Sequence, residues 1–180
     1  MHRLLLLILL AIQPYSALAQ SPMGEDDADY KYDPRYGKDW QEEAPANLPP
    51  YPEDSSLLPL SVSQTGIEYL VDRHSIAPGK DNIVRLTIVA RSPSNARTVF
   101  YEGYHCGTKK YKRFAVAGSS GPLMLLANPE WKVIIDTPGE QFRKELMDLV
   151  LCTQLYTAAD KKTIIHRLKH QSYLYDRFDG

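Results

Sequence analysis

Residues 97–117 read RTVFYEGYHCGTKKYKRFAVA and predict two strands joined by a tight connection at Gly107. β-branched and aromatic side chains dominate both halves, as is typical of strands. The preceding segment, residues 82–92, alternates with the period of a half-buried strand, because Val84, Leu86 and Ile88 point one way and Arg85 and Thr87 the other. Three successive strands with short connections predict an antiparallel meander.

Further strands are expected at residues 66–72 and 130–135, and helix signals appear only after them. Thr137 and Pro138 have the pattern of a helix N-terminus, and a second capping pattern covers residues 157–160. The buried stripe predicted for the first helix consists of Phe142, Leu146, Leu149, Thr153 and Tyr156. The last helix is indicated by Ile164, Leu168 and Tyr175. We therefore predict a single α+β domain over residues 60–180, an antiparallel meander sheet with C-terminal helices packed on one face.

Residues 1–19 have the order of a secretory signal peptide, in which basic residues precede an apolar block and small residues. The apolar block is shorter than the ~20 residues that span a bilayer. No lipid-attachment cysteine follows the small residues. We expect a periplasmic protein that is not a transmembrane protein.

Residues 20–59 are expected to form an acidic, proline-rich arm that is extended or disordered. Ten acidic side chains face three basic ones between residues 24 and 54, whereas seventeen basic residues outnumber twelve acidic ones from residue 55 onward. Trp40 interrupts the arm, and it either packs on the domain or anchors a partner. Since exported proteins rarely meet nucleic acid, we expect a protein or another anionic component as the partner of the basic domain.

Cys106 and Cys152 are the two cysteines, and in an exported chain they predict a disulfide. The bond would fasten the first helix to the sheet. A redox-active pair is disfavoured because the spacing is not C-x-x-C. The sequence does not decide on which face of the sheet Cys106 lies. A bulge at Gly103 would move Cys106 from the face that carries Glu102 to the opposite face.

The sequence offers two candidate sites and no catalytic motif. The candidate partner-binding residues are Trp40, Lys109, Lys110, Lys112 and Arg113, and the candidate ligand site consists of Tyr101, Glu102, Tyr104 and His105. His166 and His170 have the spacing of a two-histidine clamp but lack the glutamate of a zinc protease motif and an identifiable third ligand. We expect no metal, no cofactor and no catalytic residue.

Four phrases, DNIVRLTIVARS (81–92), VFYEGYHC (99–106), PEWKVI (129–134) and LVLCTQLY (149–156), resemble the cryptic-neisserial-protein-like family of proteobacterial envelope proteins. The resemblance extends from about Asp39 to the last helix. It implies an exported protein, in a largely uncharacterised family with many lipid-anchored members and no associated catalytic residue. An accessory role beside the outer-membrane barrel-assembly machinery has been proposed for some members, and the missing attachment cysteine sets this chain apart from the anchored ones.

Together these patterns predict a non-enzymatic periplasmic cell-envelope protein that binds another envelope component. The partner would be an envelope protein or an anionic outer-membrane component, bound through the basic sheet edge or the acidic arm, and the role would be accessory to outer-membrane protein assembly. The alternative is a small-ligand-binding protein or a hydrolase with its site around Glu102.

Overall fold

The computed structural model describes residues 41–43, 45, 47–61 and 66–171 of the chain. Within them, an antiparallel sheet of eight strands is followed by two helical regions, which confirms the predicted α+β class. The strands are β1 (Leu57–Leu60), β2 (Glu68–Asp72), β3 (Ala77–Pro78), β4 (Ile83–Arg91), β5 (Arg97–His105), β6 (Lys110–Ala117), β7 (Met124–Leu125) and β8 (Trp131–Val133). Helix α1 (Gln141–Glu145) continues as a π-helical segment (Leu146–Leu151), and α2 spans Lys161–His170.

The strand order is β1-β2-β4-β5-β6-β7, with β3 paired to β4 and β8 paired to β6. Chain neighbours are therefore sheet neighbours at the centre of the fold, as a meander requires. β7 and β8 lie one after the other along the same outer edge of β6. β1 forms the opposite edge, where it carries Pro59 and packs against α2.

The helical regions cover one face of the sheet and form the larger core with it. Val84, Leu86 and Ile88 of β4 are completely buried there, as their alternation predicts. Tyr69 of β2 stacks on Phe142 of α1 with 4.0 Å between ring centroids. Full burial of aliphatic side chains of this size contributes roughly 1.5–3 kcal/mol each, so this face is a major source of stability.

The opposite face of the sheet is also buried, which corrects the expectation of half-buried strands. Val89, Val99 and Phe114 belong to a second apolar cluster on this side. Leu48 and Tyr51 pack against it from the N-terminal segment. Leu48 and Tyr51 of the segment expected to be extended or disordered therefore lie on the sheet, and β1 begins before the boundary expected at residue 60.

The first helical region is shorter than predicted and starts later. It begins at Gln141, with Glu140 as the preceding residue, and the π-helical segment ends at Leu151. Thr153 and Tyr156 of the predicted stripe therefore lie beyond the helix. Wider π-helical turns change which side chains share a face, and Met147, Val150 and Leu151 are buried beside the predicted Phe142 and Leu146.

Helix α2 is capped by Asp160, because Thr163 N donates to Asp160 Oδ1 at 3.0 Å. The cap is the last residue of the predicted capping pattern rather than the first. Ile164 and Leu168 are completely buried, as predicted. Tyr175 lies outside the described residues.

The predicted disulfide between Cys106 and Cys152 is present, with 5.7 Å between the Cα atoms. It joins the end of β5 to the end of the π-helical segment across a sequence separation of 46. Both cysteines are buried. The bond thus fastens the helical layer to the sheet.

Candidate functional site

Glu102 of β5 is completely buried, at the centre of an ion-pair network between sheet and helix. Its Oε1 accepts hydrogen bonds from Arg113 Nε and Arg143 Nη2, both at 2.8 Å. Its Oε2 accepts from Arg143 Nε at 3.0 Å and from the Tyr104 hydroxyl at 2.8 Å. Each carboxylate oxygen therefore has two donors, and Arg143 engages the group bidentately.

Arg143 is the buried cation of this network. Its side chain is 4 % exposed, lies over the Phe142 and Tyr111 rings at 4.3 and 4.4 Å, and also reaches Glu140 at 3.1 Å. Burial alone lowers the pKa of Arg143, but the hydrogen bonds and charge of Glu102 reverse this and hold the pKa above its usual value. Burial, followed by the charge of Glu102, raises the pKa of Tyr104 well above the ordinary value.

The strand that carries Glu102 is regular, and the irregularity that the sequence left open at Gly103 is a bulge on the neighbouring strand β6. β5 pairs with β4 without interruption, whereas Tyr101 pairs with Ala115 and Glu102 with Arg113, which leaves Phe114 as the extra residue. Glu102, Tyr104 and Cys106 consequently share the helix-covered side. A Cβ at Gly103 would lie 2.8 Å from Phe114 Cε2, so glycine is required here by the close approach of that ring.

The four residues of the predicted ligand site are divided between the two faces of the sheet. Glu102 and Tyr104 lie under the helix, and Tyr101 packs against Phe114 on the other side with ring centroids 5.7 Å apart. His105 accepts a hydrogen bond from Thr108 N at Nδ1, and burial lowers its pKa. The residues do not converge on one cavity, and the Glu102 carboxylate has no face on which a substrate could lie.

The predicted basic cluster is also divided, because β6 directs its side chains alternately. Arg113 contributes to the buried network and stacks on Phe100 at 4.1 Å. Lys109 lies 4.9 Å above the Tyr156 ring. Lys112 and Lys110 share the opposite face, where Lys110 forms no ion pair with any described residue. Trp40 lies outside the described residues.

Residues 41–43, here called the strap, are bound to the sheet on that opposite face. Glu42 Oε2 accepts hydrogen bonds from Lys112 Nζ at 2.9 Å and from Trp131 Nε1 at 3.0 Å. Sheet side chains therefore build a two-donor site for a carboxylate, which Glu42 fills.

The backbone of Glu43 anchors the strap a second time. Its N–H donates to Asp81 Oδ2 at 3.0 Å, and its carbonyl accepts from the Arg85 guanidinium. Arg85 and Asp81 form a buried pair at 2.6 Å. Burial raises the Asp81 pKa, but hydrogen bonds from Arg85 and backbone amides outweigh it, so the pKa lies below its usual value. The base of the acidic arm is thus part of the folded domain.

Exposed apolar side chains are concentrated at the outer edge formed by β7 and β8, here called the β7–β8 edge. Seven large apolar side chains are exposed in the described part of the chain. Five of them lie at this edge: Met124, Leu125, Leu126, Val133 and Ile135. Sequence reasoning missed this surface, although the run LMLLA between Pro122 and Pro129 had no role in any predicted strand.

Two further kinds of feature are absent from the described residues. They contain no group of three or more side chains arranged to hold a metal, although the rings of His166 and His170 lie 4.5 Å apart on α2. They also contain no helix of the length and hydrophobicity that crossing a membrane requires.

The described residues define a small α+β protein with one disulfide, in which five of the seven exposed large apolar side chains lie at one sheet edge. The chain belongs to the CNP1-like family, whose model matches residues 35–169. This membership confirms the resemblance found in the sequence. Neither the curated proteins nor the solved structures include a match to the chain.

Proposed function

We propose that this protein is a non-enzymatic periplasmic component of the cell envelope that binds an envelope protein through the β7–β8 edge. The observation that carries the proposal is the concentration of exposed apolar side chains there, with Leu125 68 % and Met124 63 % exposed. Exposed apolar side chains that collect on one part of a protein surface are typical of interaction sites. Location in the periplasm is supported by the signal-like N-terminus and by the disulfide.

The edge suits an extended segment of a partner protein. β7 ends the strand order, and β8 lies beside it along β6, so both present an outer side with no neighbouring strand among the described residues. A free sheet edge offers backbone donors and acceptors to an added strand, while apolar side chains supply the contact area.

The charges around the edge favour a protein over an anionic membrane. Within residues 122–136, which carry β7 and β8, Lys132 is outnumbered by Glu130 and Asp136, so this segment has no net positive charge to hold anionic lipid. An accessory role in outer-membrane protein assembly fits this surface, because an unpaired strand of a chain that has not yet folded could pair with a free sheet edge. The family resemblance supports the same role.

Site-specific photocrosslinking in intact cells tests the proposal. A photoreactive residue at position 125 should form an adduct with an envelope protein that mass spectrometry identifies, and Val133→Glu in the same chain should abolish it. Position 155 is the matched control, because Leu155 is 72 % exposed but lies outside this edge. Equal adducts from positions 125 and 155, or none from 125, would contradict the proposal.

A further inference from the structure

We infer that Lys112 and Trp131 form a receptor site for an acidic side chain of the partner's extended segment, and that Glu42 is its resident intramolecular competitor. The inference rests on the proposed function, since the site lies beside the β7–β8 edge. It adds the chemistry of the partner, an extended segment with carboxylates on alternate residues, and a device that controls access.

The site is already built for a carboxylate. The Lys112 ammonium and the Trp131 indole N–H converge on Glu42 Oε2 at 2.9 and 3.0 Å. The Lys112 and Glu42 side chains are 16 % and 20 % exposed, so their charge-assisted bond is only partly screened by solvent. The Lys112 ammonium also lies 5.6 Å from the Trp131 ring centroid, which holds it in place.

A second cation continues the site in the direction of the strand. Lys110 lies two residues before Lys112 on β6 and therefore projects from the same face, about 7 Å away by strand geometry. It forms no ion pair with any described residue. Cross-strand pairing places exposed Val133 beside Lys110 and Trp131 beside Lys112. Two cations of β6 thus lie one strand in from the free side of β8, on the same face of the sheet as the exposed Val133.

Only part of this surface is filled by the strap. Glu42 satisfies Lys112 and Trp131, while Glu43 is held through its backbone and its side chain is exposed. An extended segment with carboxylates at positions i and i+2 would match the spacing of Lys112 and Lys110.

The competition has a defined energetic basis. A tethered carboxylate has a high effective concentration at its own site, in the millimolar range for short flexible connections. A partner carboxylate must displace it, so the apparent affinity falls with the fraction of molecules in which the site is open. Only the partner can make contacts at Lys110 and at the apolar edge. These additional contacts would allow its carboxylate to displace Glu42.

The test is calorimetric titration of the full mature chain with the peptide acetyl-Thr-Glu-Thr-Glu-Thr-Val-amide. A peptide with glutamine in place of both glutamates is the ligand control. Glu42→Gln should bind the acidic peptide at least about fivefold more tightly than wild type, because it weakens a competing charge-assisted hydrogen bond. Lys110→Gln, which removes no ion pair among the described residues, should weaken binding by a similar factor.

Glu43→Gln is the matched control. It removes the same charge from the residue next to Glu42, whose side chain is the one bound by Lys112 and Trp131. It should leave the affinity unchanged. The inference is overturned if Glu42→Gln and Glu43→Gln have equal effects, if both peptides bind equally, or if no binding occurs. A crosslinked partner without the Glu42 effect would reject this inference alone, and the Glu42 effect without a crosslinked partner would reject the proposed function alone.

Discussion

Glu102 compensates a cation that the fold has removed from water. Glu102→Gln would leave Arg143, whose side chain is 4 % exposed, without its bidentate carboxylate. Breaking a buried pair in this way costs about 3–5 kcal/mol. We expect a loss of this size in the free energy of unfolding, measured by urea denaturation.

The control is the double variant Glu102→Leu with Arg143→Leu, which removes both buried charges. It should be less destabilised than Glu102→Gln alone, because hydrophobic replacement of a whole buried pair is often neutral. Arg113 remains hydrated in both variants, since 31 % of its side chain is exposed. An unchanged urea midpoint for Glu102→Gln would show that the network does not stabilise the fold.

At the scale of elements, the bulge of β6 and the glycine of β5 depend on each other. Gly103→Ala would bring a methyl group within 2.8 Å of Phe114 and 3.0 Å of Ile83. Overpacking of this kind costs about 1–3 kcal/mol, and thermal or urea unfolding should register the loss. Phe114→Leu should relieve part of it in the double variant, with a measurable coupling energy.

Gly118→Ala is the matched control for this element. No heavy atom lies within 4 Å of a Cβ built at Gly118, so its effect should be close to zero. If Gly103→Ala and Gly118→Ala were equally tolerated, the close packing of the Phe114 ring would not be a constraint on the sheet.

The elements also show which parts of the structure a sequence can predict. Val84, Leu86 and Ile88 identify β4 because a two-residue period is a local property of the chain. The burial of Arg85 on the other face could not be predicted, since it depends on a strap more than forty residues earlier in sequence. The role of Glu102 likewise requires Arg143 to be placed opposite it, and no local pattern reports that distance.

For the whole molecule, the disulfide determines how much more stable the oxidised chain is than the reduced chain. A bond across a separation of 46 stabilises the folded state by about 4 kcal/mol on the chain-entropy estimate. Cys106→Ala with Cys152→Ala should therefore lower the melting temperature by many degrees, as measured by circular dichroism. Wild-type protein should resist thiol labelling until it is reduced, and labelling without reductant would contradict the pairing.

The two edges of the sheet differ, and this difference bears on the stoichiometry expected for the proposed strand addition. Among the described residues, β1 is the less suitable edge for a further strand, because Pro59 lacks an N–H to donate and α2 packs against this strand. A sheet that accepts a neighbour on one side only cannot propagate into a filament. On the proposed mode of binding, we therefore expect one copy of this protein to engage one extended segment and to form no longer assembly, even at high protein concentration.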